Sequence, residues 1–135
     1  LGRDAEGREQ LTLAAEHPVF HEPSLRNLAL AAENAGDYTG ALDYLRELRR
    51  KQPRNLEYCL RSAHLARKIQ EWPMALEALQ WARIIAPNDP RPYLEEVETY
   101  LQMGDVPSAR TVFRDVDEWA GEAVPEGLRV RLAED

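Results

Sequence analysis

The feature that most constrains this fold is a repeat: small and large apolar residues recur at intervals of 34 positions. We call residues that stand 34 positions apart a column of the repeat. Four columns are apparent: Ala41, Ala75 and Ala109; Leu45, Leu79 and Phe113; Tyr38, Trp72 and Val106; and Pro53 and Pro87. A fixed period of this length is typical of arrays in which each unit packs mainly on its neighbours. We therefore expect the 135 residues to form a stack of equivalent units rather than two large domains.

Each unit is predicted to contain two amphipathic helices. Apolar residues recur at helical spacing in both halves of the first unit: Leu25, Leu28, Ala29 and Ala32, then Ala41, Leu42, Leu45 and Leu48. Gly-Asp pairs at 36–37 and 104–105 indicate the turn between the two helices. The prolines of the period end the second helix, because proline cannot continue one.

In these columns the sequence resembles the tetratricopeptide repeat (TPR) family, whose unit has small residues, an aromatic residue and a terminal proline in fixed places. The resemblance implies an all-α fold, a right-handed TPR superhelix (α-solenoid) of helix-turn-helix pairs. Three repeats are expected, at 22–55, 56–89 and 90–123. Residues 1–21 would hold the second helix of a preceding repeat and a linker, and 124–135 the first helix of a following repeat or a cap.

The sequence departs from the family pattern at three positions. Cys59 stands where a large residue is usual, and Ser62 where leucine is usual. Gly121 replaces the terminal proline, so the third repeat is degenerate at its end. Cys59 is expected to be a small buried apolar residue.

Charge and composition exclude several classes of function. Seventeen basic against 24 acidic residues give a net charge of −7, which opposes phosphate binding, so no nucleic acid partner is expected. A single cysteine cannot form an intramolecular disulfide. The longest apolar run, Leu28–Ala32, is far shorter than the roughly 20 residues of a membrane span, so no membrane contact is expected.

No group of residues indicates catalysis, a metal site or a cofactor. His17 and His21 have the spacing of two metal ligands on one helix, but Pro18 interrupts that helix. Cys59 and His64 lie about 140° apart around a helix, so they do not form a catalytic pair. The chain is therefore not expected to be an enzyme.

Acidic residues concentrate in the third unit, where residues 90–123 carry eight acidic and three basic side chains. Glu95, Glu96 and Glu98 could suggest paired catalytic carboxylates, but Glu95 and Glu98 share an exposed helix face with no catalytic base in view. A solvated or partner-facing acidic patch is expected there.

The resemblance implies that the first helix of each repeat lines a concave binding surface. The groove positions of the family fall on these residues: Arg26, Leu30, Glu33, Asn34, Leu60, Arg61, His64, Arg67, Lys68, Arg91, Leu94, Glu95, Glu98 and Leu101. Such a surface suits a protein partner better than a uniform polyanion, because apolar anchors alternate with both charge signs. The alternative is that these are ordinary exposed faces of helices.

One TPR subfamily binds the free carboxylate of chaperone tails through lysine and asparagine residues at set groove positions. Here the matching positions hold Arg26, Arg61 and Arg91, which would attract a carboxylate. Leu30 and Glu95 stand at the other two, where one cannot hydrogen-bond and the other repels the ligand. The chaperone-tail interpretation is therefore disfavoured.

The second helices carry two further features. A basic run lies where cations complement a helix dipole, which explains it without a ligand: Arg46, Arg49, Arg50, Lys51 and Arg54. Trp81 falls at a position that usually faces the convex side. It is expected either to anchor an interface or to pack under the neighbouring loop.

These observations predict a non-catalytic protein–protein interaction scaffold. The arginine bias and degenerate repeats resemble the periplasmic TPR regions of bacterial exopolysaccharide export proteins, which would imply recruitment of a polysaccharide-modifying enzyme in the periplasm. The alternative is a cytosolic TPR adaptor or secretion chaperone that binds an extended peptide. A regulatory appendage of an enzyme and self-stacking through the solenoid ends also remain open.

Overall fold

The computed structural model describes residues 21–133, and the predictions for His17 and a preceding helix lie outside the described residues. Every regular element in that range is helical. The α-helices are α1 (His21–Asn34), α2 (Tyr38–Lys51), α3 (Leu56–Lys68), α4 (Trp72–Ile85), α5 (Pro90–Met103), α6 (Val106–Ala120) and α7 (Glu126–Ala133). A short 3₁₀ helix, Gly121–Ala123, follows α6. The all-α prediction is confirmed.

The second helix of each pair begins at one column of the period, since Tyr38, Trp72 and Val106 are the first residues of α2, α4 and α6. Two of these helices have an aspartate cap. Asp37 accepts a hydrogen bond from the backbone N–H of Gly40 at 2.9 Å, and Asp105 accepts one from that of Ser108 at 3.2 Å. These bonds satisfy N–H groups that have no partner within the helix.

The turn inside each pair repeats one backbone hydrogen bond. The N–H groups of Asp37, Glu71 and Asp105 donate to carbonyl oxygens five residues earlier, at 2.8, 2.9 and 2.8 Å. The preceding residue adopts a left-handed backbone, with φ of 79° at Gly36, 82° at Gly104 and 59° at Gln70. Glycine adopts this conformation freely, but glutamine does so at a cost. The second repeat therefore carries strain that the other two avoid.

Gln70→Gly is expected to raise the free energy of unfolding by about 0.5–1 kcal/mol, because relief of the left-handed backbone exceeds the extra chain entropy of glycine. Urea denaturation followed by circular dichroism measures the change. Gly36→Gln is the matched reverse substitution and should destabilise; a β-carbon there meets no atom within 4 Å, so the loss reports backbone strain. A less stable Gln70→Gly variant would contradict this account.

Helices pack in chain order, within pairs (α1 on α2, α3 on α4, α5 on α6) and between pairs (α2 on α3, α4 on α5). Ala41, Ala75 and Ala109 are all 0% exposed, as their column predicts. One buried cluster is built mainly from α1, α2 and α3, and another from α5, α6 and α7. The core is therefore distributed along the array, as in a solenoid.

Two departures from the repeat pattern have visible outcomes. Cys59 is buried, and burial raises the pKa of its thiol, so it packs as a small apolar group as predicted. Without a proline at Gly121, α6 runs one residue further than α2 and α4 do relative to the period, and the chain then makes its 3₁₀ turn. The repeat boundaries themselves stay a prediction.

Candidate protein-binding surface

The first helices of successive pairs lie side by side, and we call the surface formed by α1, α3, α5 and α7 the first-helix face. Ion pairs connect each of these helices to the next. They are Arg61 with Glu33, Arg91 with Glu57 at 2.9 Å, and Arg131 with Glu98 at 2.7 Å. These ion pairs therefore bring four of the predicted groove residues together with charged groups of the neighbouring first helix: Glu33, Arg61, Arg91 and Glu98.

These ion pairs affect the arginines that would attract the carboxylate of a chaperone tail, an interpretation that the sequence already disfavours. Arg61 and Arg91 already face carboxylates of the preceding first helix. Their side chains are about half exposed, at 48% and 53%, so the pairs add little stability, but a ligand carboxylate must compete with them. The structure thus supplies a further reason against a carboxylate clamp.

Both carboxylates of the expected acidic patch, Glu95 and Glu98, form ion pairs with arginines of neighbouring first helices. Glu95 pairs with Arg67 of α3, and Glu98 pairs with Arg131 of α7 at 2.7 Å. Arg67 is only 12% exposed and also donates hydrogen bonds to the Glu95 carbonyl and the Thr99 hydroxyl, each at 3.2 Å. Arg67 thus holds α3 to α5 and is not a free groove cation.

The predicted apolar anchors differ in exposure. Leu60, Leu94 and Leu101 are half-buried and pack against the core clusters. Leu30 is 51% exposed, so it alone of these four presents much apolar surface to a partner. Three further polar groove candidates are exposed: Arg26 in the second turn of α1, and Asn34 and Lys68 at the last positions of α1 and α3.

Leu30 lies over an open cavity of about 270 Å³ on the first-helix face. Arg26, Tyr58 and Arg61 line the cavity together with it, above apolar side chains from α1 and α2. The Tyr58 hydroxyl donates a hydrogen bond to Glu22 at 2.6 Å, and burial together with that carboxylate raises the pKa of Tyr58. An apolar floor with polar groups at its rim is a common arrangement in binding sites.

A second cavity on this face is polar. His64, Arg67, Lys68 and Gln102 line a space of about 340 Å³. Partial burial lowers the pKa of His64, and the charges of Arg67 and Lys68 lower it further. A lowered pKa favours the neutral imidazole of His64, which can both donate and accept a hydrogen bond.

A buried polar cluster between α4, α5 and α6 was not predicted from the sequence. Glu96 is 2% exposed and accepts two hydrogen bonds from Arg83, at 3.0 and 3.3 Å. The guanidinium of Arg83 lies over the ring of Tyr93, 4.4 Å from its centroid, and Tyr93 meets Trp119 edge-on at 5.0 Å. Burial raises the pKa of Glu96, and Arg83 offsets part of that effect.

The second helices show both features that the sequence singled out. Arg49, Arg50 and Lys51 occupy the last turn of α2, as the dipole argument expects. Trp81 is 50% exposed, so half of its surface is open to a partner.

The described residues contain no group of three histidine, cysteine, aspartate or glutamate side chains placed to hold a metal ion. Cys59 is buried, whereas His64 is exposed. None of the helices in the described range is both long and apolar enough to cross a bilayer.

No protein-family model and no curated protein matches the chain. Solved structures do match it. MamA of strain AMB-1 is 19% identical, with a TM-score of 0.69 over 96% of this chain and 70% of MamA. The type III secretion chaperone SycD of Yersinia enterocolitica, solved with a peptide of the translocator YopD, is 18% identical, with a TM-score of 0.66 over 83% of this chain and 86% of SycD.

A third similar structure is itself a TPR domain. The first TPR domain of Spaghetti (RPAP3), bound to an HSP90 peptide, is 14% identical, with a TM-score of 0.65 over 82% of this chain and 88% of that domain. These identities are too low to transfer a function, but the backbone agreement is extensive. The chain therefore has the tetratricopeptide-repeat fold that its 34-residue period predicts.

Proposed function

We propose that this chain is a non-catalytic protein-interaction scaffold that binds a partner protein through the first-helix face. The observation that carries the proposal is Leu30, which is half exposed above an open cavity between α1 and α3. Within residues 21–133, about half of the Leu30 side chain stays open to solvent beside the buried apolar residues that line this cavity. A partner side chain that enters this cavity would bury the Leu30 side chain and the apolar floor of the cavity.

The rim of the cavity adds selectivity. Arg26 and Arg61 flank Leu30, and Arg61 is held by Glu33. A segment that places an apolar residue in the cavity and a polar or acidic residue at its edge would match this arrangement. Two of the similar structures hold peptides, of YopD on SycD and of HSP90 on RPAP3, which supports the assignment of a protein partner.

For the biological setting, the proposal is a periplasmic array of a bacterial exopolysaccharide export protein that recruits a polysaccharide-modifying enzyme during biofilm matrix secretion. This part rests on the resemblance of the sequence, through its arginine bias and degenerate repeats. All fourteen groove candidates belong to the proposed interface, with Arg67, Leu60, Leu94 and Leu101 contributing through the shape they stabilise.

The second candidate function is a cytosolic adaptor or secretion chaperone that binds an extended peptide. The peptide-bound structure of SycD favours it. A short unfolded segment of the partner should then compete with the whole partner for the surface. In the recruiting scaffold only the folded partner should compete.

Leu30→Glu is expected to abolish partner binding without unfolding the chain, because it places a charge over the apolar cavity. The immobilised chain captures proteins from a bacterial envelope extract at low salt, and mass spectrometry identifies them. Ala31→Glu is the matched control, since Ala31 is also exposed on α1 but lies about 100° around the helix.

A single envelope enzyme retained by the unmodified chain and by Ala31→Glu, but lost with Leu30→Glu, would support the proposal. Equal capture by both variants would remove the Leu30 cavity from the interface. Capture of nothing above a bare-resin control would favour a spacer or self-stacking role.

A further inference from the structure

A groove on the opposite set of helices combines arginines with an exposed aromatic ring. It lies between the C-terminal half of α2 and the middle of α4, and we call it the second-helix groove. Its volume is about 460 Å³, larger than the 270 Å³ of the Leu30 cavity. It is lined by Arg46, Arg49, Arg50, Pro53, Glu77 and Trp81.

Exposed apolar residues occur at this position of α4 but not at the equivalent positions of α2 and α6, 34 residues away in either direction. Trp81 is 50% exposed and Ile84 is 64% exposed, one turn apart on α4. The residues 34 positions away from Trp81 are Glu47 and Asp115, and those 34 positions from Ile84 are Arg50 and Glu118. The equivalent surface is thus charged in the first and third repeats. Repeat packing does not require an exposed indole or isoleucine here, whereas an interface would use both.

The arginines at the edge of the groove are available for new ion pairs. Arg46 contacts Asp43 at 3.4 Å, and Arg50 contacts Glu47 at 2.7 Å. Each arginine lies one turn of α2 after its carboxylate, and both pairs are exposed. Exposed pairs of this kind contribute little, so replacing their carboxylates by those of a ligand costs little. Arg49 differs, because it is 19% exposed and held at 3.4 Å by Glu77.

We propose that the second-helix groove binds an acidic segment of a partner protein that also carries an aliphatic side chain. The aliphatic group packs on the Trp81 ring beside Pro53, and neighbouring carboxylates pair with Arg46 and Arg50. The site lies on the second helices, so it adds a docking surface to the proposed scaffold and does not depend on the Leu30 cavity.

The same arginines and indole would also suit a single-stranded nucleic acid, whose bases stack on aromatic rings. The surroundings disfavour it. Glu77 lines the groove, Asp43 and Glu47 flank its edge, and the whole chain carries a net charge of −7. These carboxylates repel any anion, and the repulsion grows with the number of negative charges. A phosphate backbone with one charge per nucleotide is therefore disfavoured more than a short segment that places carboxylates only at Arg46 and Arg50.

The test is a titration of the ¹⁵N-labelled chain followed by NMR, with the indole N–H signal of Trp81 assigned by loss in Trp81→Phe. The probe is a capped six-residue peptide in which a unit of two glutamates and one leucine occurs twice. Three matched probes are a lysine-for-glutamate peptide, a serine-for-leucine peptide and an oligothymidine of similar length. Saturable shifts at Trp81 with the glutamate–leucine peptide alone, at up to about 1 mM, are the expected result.

Variants locate the binding. The double variant Arg46→Glu, Arg50→Glu should weaken it about tenfold or more at the Trp81 indole signal. Trp81→Ala lacks that signal, and the backbone N–H signals of α2 should show a similar loss of affinity. Arg114→Glu is the matched control, because Arg114 is exposed and stands two full periods after Arg46; its affinity should stay within about twofold of the unmodified chain. Circular dichroism verifies that each variant is folded.

Three outcomes would overturn the proposal: no shift at Trp81 by about 1 mM peptide, equal affinity in the Arg46/Arg50 variant and the control, or tighter binding of oligothymidine. Leu30→Glu should leave the peptide-induced shifts at the Trp81 indole unchanged. Failure of the Leu30 proposal and failure of this one are therefore distinguished by separate variants.

Discussion

Ala75→Trp is expected to lower the free energy of unfolding by at least about 3 kcal/mol. Ala75 is 0% exposed and shares a buried cluster with Leu65 and Ala66 of α3. An indole cannot fit where two helices meet through alanine, so α4 would have to move away from its neighbours. Urea denaturation and thermal melting followed by circular dichroism measure the loss, and the melting temperature should fall by about 10 °C or more.

Ala31→Trp is the control for this substitution, because Ala31 is an exposed alanine in a helix of the same array. It adds the same ring without overpacking, and its effect should stay within about 0.5 kcal/mol. A change of only a few degrees in the melting temperature of Ala75→Trp would contradict the assignment of the alanine column to the helix contacts.

The helix pairs were predictable because a period of 34 repeats the local sequence requirements of each element. Buried alanines, helix starts and left-handed turn residues each recur in their own column. Neighbouring units also supply most contacts in such an array, so the sequence of one unit defines the environment of the next. The fold therefore followed from local patterns without knowledge of distant contacts.

The charge pattern of the first-helix face was not predictable from single columns. Arg61 pairs with Glu33, and Arg67 pairs with Glu95, and both pairs join the same two positions of successive repeats, 28 residues apart. The signs are exchanged between the two pairs. Helical spacing within one helix cannot reveal such a partner, so the sequence pattern of α5 alone does not identify Arg67 as the partner of Glu95.

The burial of Glu96 did have a signal in the sequence. It stands 34 residues after Ser62 and 68 after Leu28, and all three are buried, at 2%, 3% and 3% exposure. A glutamate in a core column predicts a buried carboxylate that needs a cation. The identity of that cation, Arg83 of the preceding helix, required the structure.

Arg83→Met is the second substitution with a large expected effect, because it leaves the Glu96 carboxylate buried without its cation. We expect the free energy of unfolding at pH 7 to fall by about 2–3 kcal/mol, somewhat less than for a fully buried pair, since a third of the Arg83 side chain is exposed. Methionine retains apolar contact with the Tyr93 ring. The loss should therefore report the missing charge rather than a cavity.

The pH dependence identifies the cause. Burial already raises the pKa of Glu96 above its usual value of 4.5, and removing Arg83 should raise that pKa further. A carboxyl whose pKa is raised on folding stabilises the folded state below its unfolded pKa, and that contribution is lost as pH rises through the folded pKa. The difference between Arg83→Met and the unmodified chain should be smallest below pH 4.5 and should grow as the pH rises above it.

The double variant Arg83→Met, Glu96→Gln completes the test. Glutamine removes the buried charge, so the double variant should be more stable at pH 7 than Arg83→Met alone and should lose the extra pH dependence. Urea denaturation is measured between pH 4 and pH 8 for the unmodified chain, Arg83→Met, Glu96→Gln and the double variant. The four values give the coupling free energy between Arg83 and Glu96 at each pH. A stability difference that does not change with pH, or no recovery in the double variant, would mean that Arg83 acts through packing on Tyr93 rather than through the Glu96 carboxylate.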